Sequence, residues 1–174
     1  MRPSLSQVPF LAAIVLILLY LGAIVLRKLW IQGHTTTVHR LSLGLLLAWI
    51  CCVLVVTLPR IDSQPGPPAF QIIPFSGEDR STTETLANVL MFSPGGMLLA
   101  ILLRRLSAWR PTAIFSILFS LCIEIAQALM RGGRSADSTD VVLNTVGAVI
   151  GHVACMAWVK NWPEKTRAPM DLVH

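Results

Sequence analysis

Five apolar runs alternate with short polar segments along the chain: Val8–Leu26, Leu41–Leu58, a stretch from about Thr85 to Arg104-Arg105, Thr112–Met130 and Val141–Val159. A hydrocarbon core roughly 30 Å thick takes about 20 apolar residues of helix, so each run is long enough to cross a bilayer. The pattern predicts an all-α, polytopic membrane helical bundle of about five transmembrane helices. Proline, which has no backbone donor, ends the second run at Pro59. The third run carries Pro94-Gly95-Gly96 in its interior, and a kink or break is expected there; a broken helix would present backbone donors, as in transporters.

On this pattern residues 1–58 hold two N-terminal spans and residues 59–84 an extracytoplasmic loop. Three further spans lie within 72–159, and 160–174 form a cytoplasmic tail. The long loop contains Pro65-Gly66-Pro67-Pro68, an apolar Ala69–Phe75 piece and four acids, and is expected to lie on the bilayer surface or dip into it.

Composition strengthens the membrane assignment. Of 174 residues, 54% are hydrophobic and 13% charged, with a mean hydropathy of +0.67, outside the range of ordinary soluble domains. The first run lacks a small-residue cleavage site and reads as a retained span. The net charge of +5 resides in the loops, where it sets orientation and does not point to nucleic acid. With the N-terminus outside, five Lys and Arg fall on the outer side and nine on the inner side, which favours N-out and C-in. Trp30, Trp109, Trp158 and Trp162 fall at the inner interface. Cys51, Cys52, Cys122 and Cys155 have no metal-ligand spacing and are expected as small buried hydrophobes. No metal site or cofactor is indicated, and His152 is expected to be a packing residue.

The candidate chemistry lies between Glu124 and Gly151. Ionisable and amide side chains within spans carry an energetic penalty and tend to mark function. On the fourth span Ser116, Ser120, Glu124, Gln127 and Arg131 fall within an arc of roughly 80°; on the fifth, Asp140, Asn144, Gly147 and Gly151 fall within about 60°. The expected arrangement packs the small-residue stripe of Gly147 and Gly151 against the polar stripe of the fourth span. Asn88 of the third span lies at the same end. With Arg134 and Asp137 in the connecting loop, the candidate ligand-binding set is Asn88, Glu124, Gln127, Arg131, Arg134, Asp137, Asp140 and Asn144. Arginines suit a phosphate or carboxylate and the amides suit sugar or amide groups. Each residue alone also fits a structural role: Glu124 bonded to Asn144 and Gln127, Asp140 as a helix N-cap, Arg134 and Asp137 pinning the loop.

Four segments carry a family resemblance: IIPF at 72–75, NVLMFSPGG at 88–96, SLCIEIAQ at 120–127 and GRSADSTDVVLNTVGAVIG at 133–151. Together they resemble the VanZ family of small bacterial membrane proteins over residues 72 to about 158. Two positions depart from the family pattern: F-x-P-L-G is here Phe92-Ser93-Pro94-Gly95-Gly96, and Gln71-Ile72 replaces Asn-Leu before the IPF. The resemblance implies cell-envelope work. Its named member lowers susceptibility to teicoplanin, a lipoglycopeptide.

The expectation is therefore a binding module that takes a lipid-linked cell-wall precursor or a lipoglycopeptide at an outward-facing polar site, surrounded by membrane lipids, and that confers glycopeptide resistance. Two other classes stay open. One is a membrane enzyme acting on a polyprenyl-phosphate or phospholipid substrate, with Glu124 or Asp140 as general base. The other is a small transporter or flippase, for which five spans give a small body unless the protein oligomerises.

Overall fold

The computed structural model describes residues 17–19, 21–22, 24–26, 28–29, 32, 34–58, 70–71, 74–75, 81–103, 108–130 and 136–160. They form a helical bundle: α1 (Ile17–Leu26), α2 (Thr35–Thr57), α3 (Thr82–Leu102), α4 (Arg110–Met130) and α5 (Ser138–Lys160). The last four are long and apolar enough to cross a membrane. Leu129, Val55, Leu18, Leu118 and Ile114 are each more than half exposed, so the bundle presents an apolar outer surface suited to lipid. The expected first span is described only from residue 17 onward. The expected tail lies outside the described residues beyond Lys160.

Helix ends follow local chemistry. Ser81 caps α3, its hydroxyl accepting the Thr83 N–H at 3.1 Å, and Glu84 completes the S-x-x-E spacing in the first turn. Asp137 caps α5, accepting the Thr139 N–H at 2.8 Å. The expected cap, Asp140, lies in the first turn of α5, because the helix begins three residues earlier than the apolar run. Similarly α2 begins at Thr35, six residues before the apolar run that starts at Leu41, so His39 and Arg40 are helical and exposed.

Of the kink or break expected at Pro94, a break does not occur; α3 is continuous from Thr82 to Leu102. Proline leaves the carbonyl four residues back without its helical donor, here that of Leu90. The Ser93 hydroxyl donates to that carbonyl at 3.2 Å and replaces the lost bond. The adjacent Met91 carbonyl accepts the Trp49 indole N–H at 2.8 Å, tying α2 to α3. Trp49 meets Phe92 edge-on at 5.5 Å between centroids, and Phe119 of α4 closes on both rings. These aromatics form the centre of the core.

The glycine stripe of α5 packs on α3, not on the polar stripe of α4. A Cβ on Gly147 would stand 2.3 Å from the Val89 carbonyl oxygen, and one on Gly151 would stand 1.9 Å from that of Ser93. From the other side, a Cβ on Gly96 would stand 1.9 Å from the Ala148 carbonyl oxygen. Backbone therefore meets backbone along this pair, as small residues at i and i+4 permit. Cys51 and Cys122 are exposed and Cys52 half-buried, leaving Cys155 as the buried cysteine expected of all four.

One departure from all-α architecture occurs among the described residues. Residues Phe70–Gln71 (β1) pair in parallel with Ala136–Asp137 (β2), in the register Phe70 with Ala136 and Gln71 with Asp137. The pairing fixes a piece of the long loop against the start of α5.

Candidate functional site at the α5 N-terminus

The site lies at the end of the bundle where α2 and α4 finish and α3 and α5 begin. Glu124, two turns before the end of α4, is 6% exposed, and its carboxylate accepts the backbone N–H of Asp137 at 3.0 Å. A buried carboxylate thus anchors the chain entering α5. Asp137 in turn caps the helix, so one residue is held through its backbone while its side chain organises the first turn. One turn further on, Asp140 accepts a hydrogen bond from the Asn88 amide of α3. Acids near a helix N-terminus are favoured by its partial positive charge.

The loop above is fastened to the same turn. The Phe75 N–H donates to the Thr139 hydroxyl at 3.0 Å. Phe75 has φ 62°, a left-handed conformation that a bulky residue adopts at an energetic penalty, and the residue is 67% exposed. Two local devices, the β1–β2 pairing and this bond, thus hold the loop at Phe75 against the start of α5.

Below the rim the amides face inward. Asn144, 5% exposed, donates to the Ser120 hydroxyl at 2.8 Å, and its backbone carbonyl accepts Ser116 at 3.3 Å. Gln127 donates to the Thr57 carbonyl at 3.1 Å, joining the ends of α4 and α2. The polar stripe of α4 does face α5, but it meets Asn144 and His152 and not the glycines.

Asn88, Glu124, Asp137 and Asp140 are therefore assembled at one end of the bundle. Asn144 lies deeper in the α4–α5 interface and Gln127 is turned toward α2. Arg131 and Arg134 fall outside the described residues.

Sequence reasoning missed Thr139, whose hydroxyl holds the long loop, and Thr112, which bonds the His152 ring at 2.8 Å. Thr112 continues the four-residue spacing of Ser116, Ser120 and Glu124, so extending the stripe by one turn identifies it. His152, expected to be a packing residue, is 3% exposed and belongs to the same hydrogen-bonded interface. No sequence signal marks Thr139, because its partner is a backbone N–H 64 residues away.

A family model described as VanZ/LLP1 matches residues 12–159. The match includes α2 to α4 whole, nearly all of α5, and every residue of the candidate site. Comparison with curated proteins and with solved structures returned no match. With the match covering most of the chain and the whole polar end of the bundle, the protein belongs to the VanZ/LLP1 family, a VanZ-like membrane protein.

Proposed function

We propose that the end of the bundle built on Asp137 and Asp140 binds the polar headgroup of a lipid-linked cell-wall precursor or of a lipoglycopeptide, with the apolar part of the ligand remaining in lipid. The observation that carries this reading is the clamp of Glu124 on the Asp137 backbone. A protein that needed only to join two helices gains little from burying a carboxylate to hold a loop. A protein that presents a loop at headgroup depth needs that loop held rigidly.

Asn88, Asp137 and Asp140 are half-buried and supply the polar contacts of the rim, while Glu124 positions Asp137; Gln127 and Asn144 tie α4 to α2 and α5 behind them. Arg131 and Arg134, in the connection between α4 and α5, supply charge for a phosphate or carboxylate. In this reading the chain crosses a bacterial cytoplasmic membrane five times, N-out and C-in. The excess of Lys and Arg at the opposite end supports that orientation, and the site then opens toward the cell wall. Antibiotic tolerance follows if the ligand is a lipoglycopeptide or its target.

Binding to protein in nanodiscs tests the proposal, using a polyprenyl-pyrophosphate-linked disaccharide peptide and, separately, a lipoglycopeptide. The parent is expected to bind at least one, and Arg134→Ala to weaken it about tenfold or more through loss of a charge-assisted contact. Equal binding by parent and Arg134→Ala, or none by the parent, removes the reading. Incubation of the same protein with polyprenyl-phosphate substrates, followed by mass analysis, distinguishes the enzyme: turnover that depends on Asp140 would replace binding as the function.

A further inference from the structure

Polar residues continue down the α4–α5 interface, well away from the loop end. Thr112, Ser116, Ser120 and Glu124 recur every four residues on α4, and none is more than 6% exposed. Across from them on α5 lie Asn144 and His152, at 5% and 3%. Twelve residues of helix rise about 18 Å, so this seam runs through more than half of a hydrocarbon core.

Some of its members are paired: Thr112 with His152 Nδ1 at 2.8 Å, and Asn144 Nδ2 with Ser120 at 2.8 Å. Two buried atoms on the same seam, Asn144 Oδ1 and His152 Nε2, have no hydrogen-bond partner among the described residues. A helix–helix staple accounts for the pairs. It does not account for two unsatisfied polar atoms, each disfavoured by about 1–3 kcal/mol. Nor does it require an ionisable group at each end, Glu124 and His152. Hydroxyls four residues apart on a helix stand about 6 Å from each other, close to twice an O–H···O distance, which is the span that one water bridges.

We infer that the α4–α5 seam is a proton relay, in which water at His152 Nε2 and Asn144 Oδ1 joins the hydroxyls of Thr112, Ser116 and Ser120 between His152 and Glu124. A proton taken up at His152 Nε2 makes the ring cationic, and the ring releases its other proton from Nδ1 to the Thr112 oxygen. Each hydroxyl or water accepts one proton and passes one on, Ser116 turning its hydroxyl away from the Asn144 carbonyl to do so. The Glu124 carboxylate receives the proton and releases it to water at the loop end of the bundle. The ring regains its starting tautomer by exchanging protons with water, and no bond other than O–H and N–H is made or broken. Ionisable residues facing the interior of a membrane bundle are the usual components of such paths.

The experiment uses the full chain in liposomes loaded with a pH-sensitive dye, with a potassium diffusion potential set by valinomycin. Thr112→Val, His152→Phe and Ser120→Ala test the path. Thr112 and His152 lie away from the loop end, so the result is separable from the ligand-binding measurement above. The parent is expected to move protons faster than protein-free vesicles, and each variant to lower that excess by about tenfold. Ser42→Ala, which alters a buried hydroxyl on α2 outside the seam, is expected to conduct as the parent does. Thr112→Val is nearly isosteric and Ser120→Ala removes a single atom, so the test survives if His152→Phe fails to fold. Flux equal to that of protein-free vesicles, or parental flux in folded Thr112→Val and Ser120→Ala, overturns the relay.

Discussion

The carboxylate of Glu124 accepts the backbone N–H of Asp137, joining residues thirteen positions apart and closing the connection between α4 and α5. Both residues belong to the candidate stretch between Glu124 and Gly151, yet the bond uses a side chain from one and the backbone from the other. The acid in α4 holds the residue that caps α5.

Removing that carboxylate leaves a buried N–H without its acceptor. Glu124→Ala is expected to destabilise the protein by about 1–3 kcal/mol. Glu124→Gln keeps an oxygen able to accept the same N–H and should lose less. Thermal unfolding in detergent measures both, and an equal loss from the two variants would show that charge and not the hydrogen bond is what matters.

The backbone contact between α3 and α5 makes its glycines intolerant of a methyl group. Gly96→Ala and Gly151→Ala each place a Cβ 1.9 Å from a carbonyl oxygen, so the helices must separate. The expected loss is about 2 kcal/mol or more for each. Gly44→Ala meets nothing within 4 Å and is expected to be neutral or to gain up to about 1 kcal/mol. The contrast among three identical substitutions, read by unfolding, separates contact from helix propensity.

Phe75 is held at φ 62° and is exposed, so its conformation suits glycine better than phenylalanine. Phe75→Gly is expected to raise stability by about 1 kcal/mol, and Phe75→Val to lower it by a similar amount. If Phe75→Gly is more stable but binds the lipid-linked ligand less well in nanodiscs, the strained backbone is retained for the ring that it presents.

The Asn88 amide donates to Asp140 across the α3–α5 interface. Asn88→Asp sets two carboxylates against each other and is expected to lose more stability at neutral pH than Asn88→Ala, by about 1 kcal/mol. Denaturant titrations of both variants in one detergent give the difference. A smaller loss in the aspartate variant would show that the pair is dispensable.

The run lengths and hydropathy of the sequence by themselves determined that the chain is helical and apolar enough for a membrane. The spacing of Ser116, Ser120 and Glu124 determined that α4 carries one polar face. Those properties reside in single helices, where period and composition suffice. The motif residues Glu124, Asp137 and Asp140 were legible as a set for the same reason: they lie close together in the chain and are unusual in apolar surroundings.

Which helix meets which face was decided only in three dimensions. Gly147 and Gly151 are as compatible with α4 as with α3 on spacing alone; the small residues of α3, Gly96 above all, admit the backbone of α5 and so turn Asn144 and His152 toward α4. Pro94 predicts a kink or break from local rules, but α3 runs on without a break: Ser93 supplies the missing donor and Trp49, from another helix, packs on Gly95. The sequence places an acid at position 124 and a loop after position 130. Only the tertiary structure makes that acid the clamp of that loop, because a hydrogen bond between a side chain and a distant backbone leaves no periodic trace.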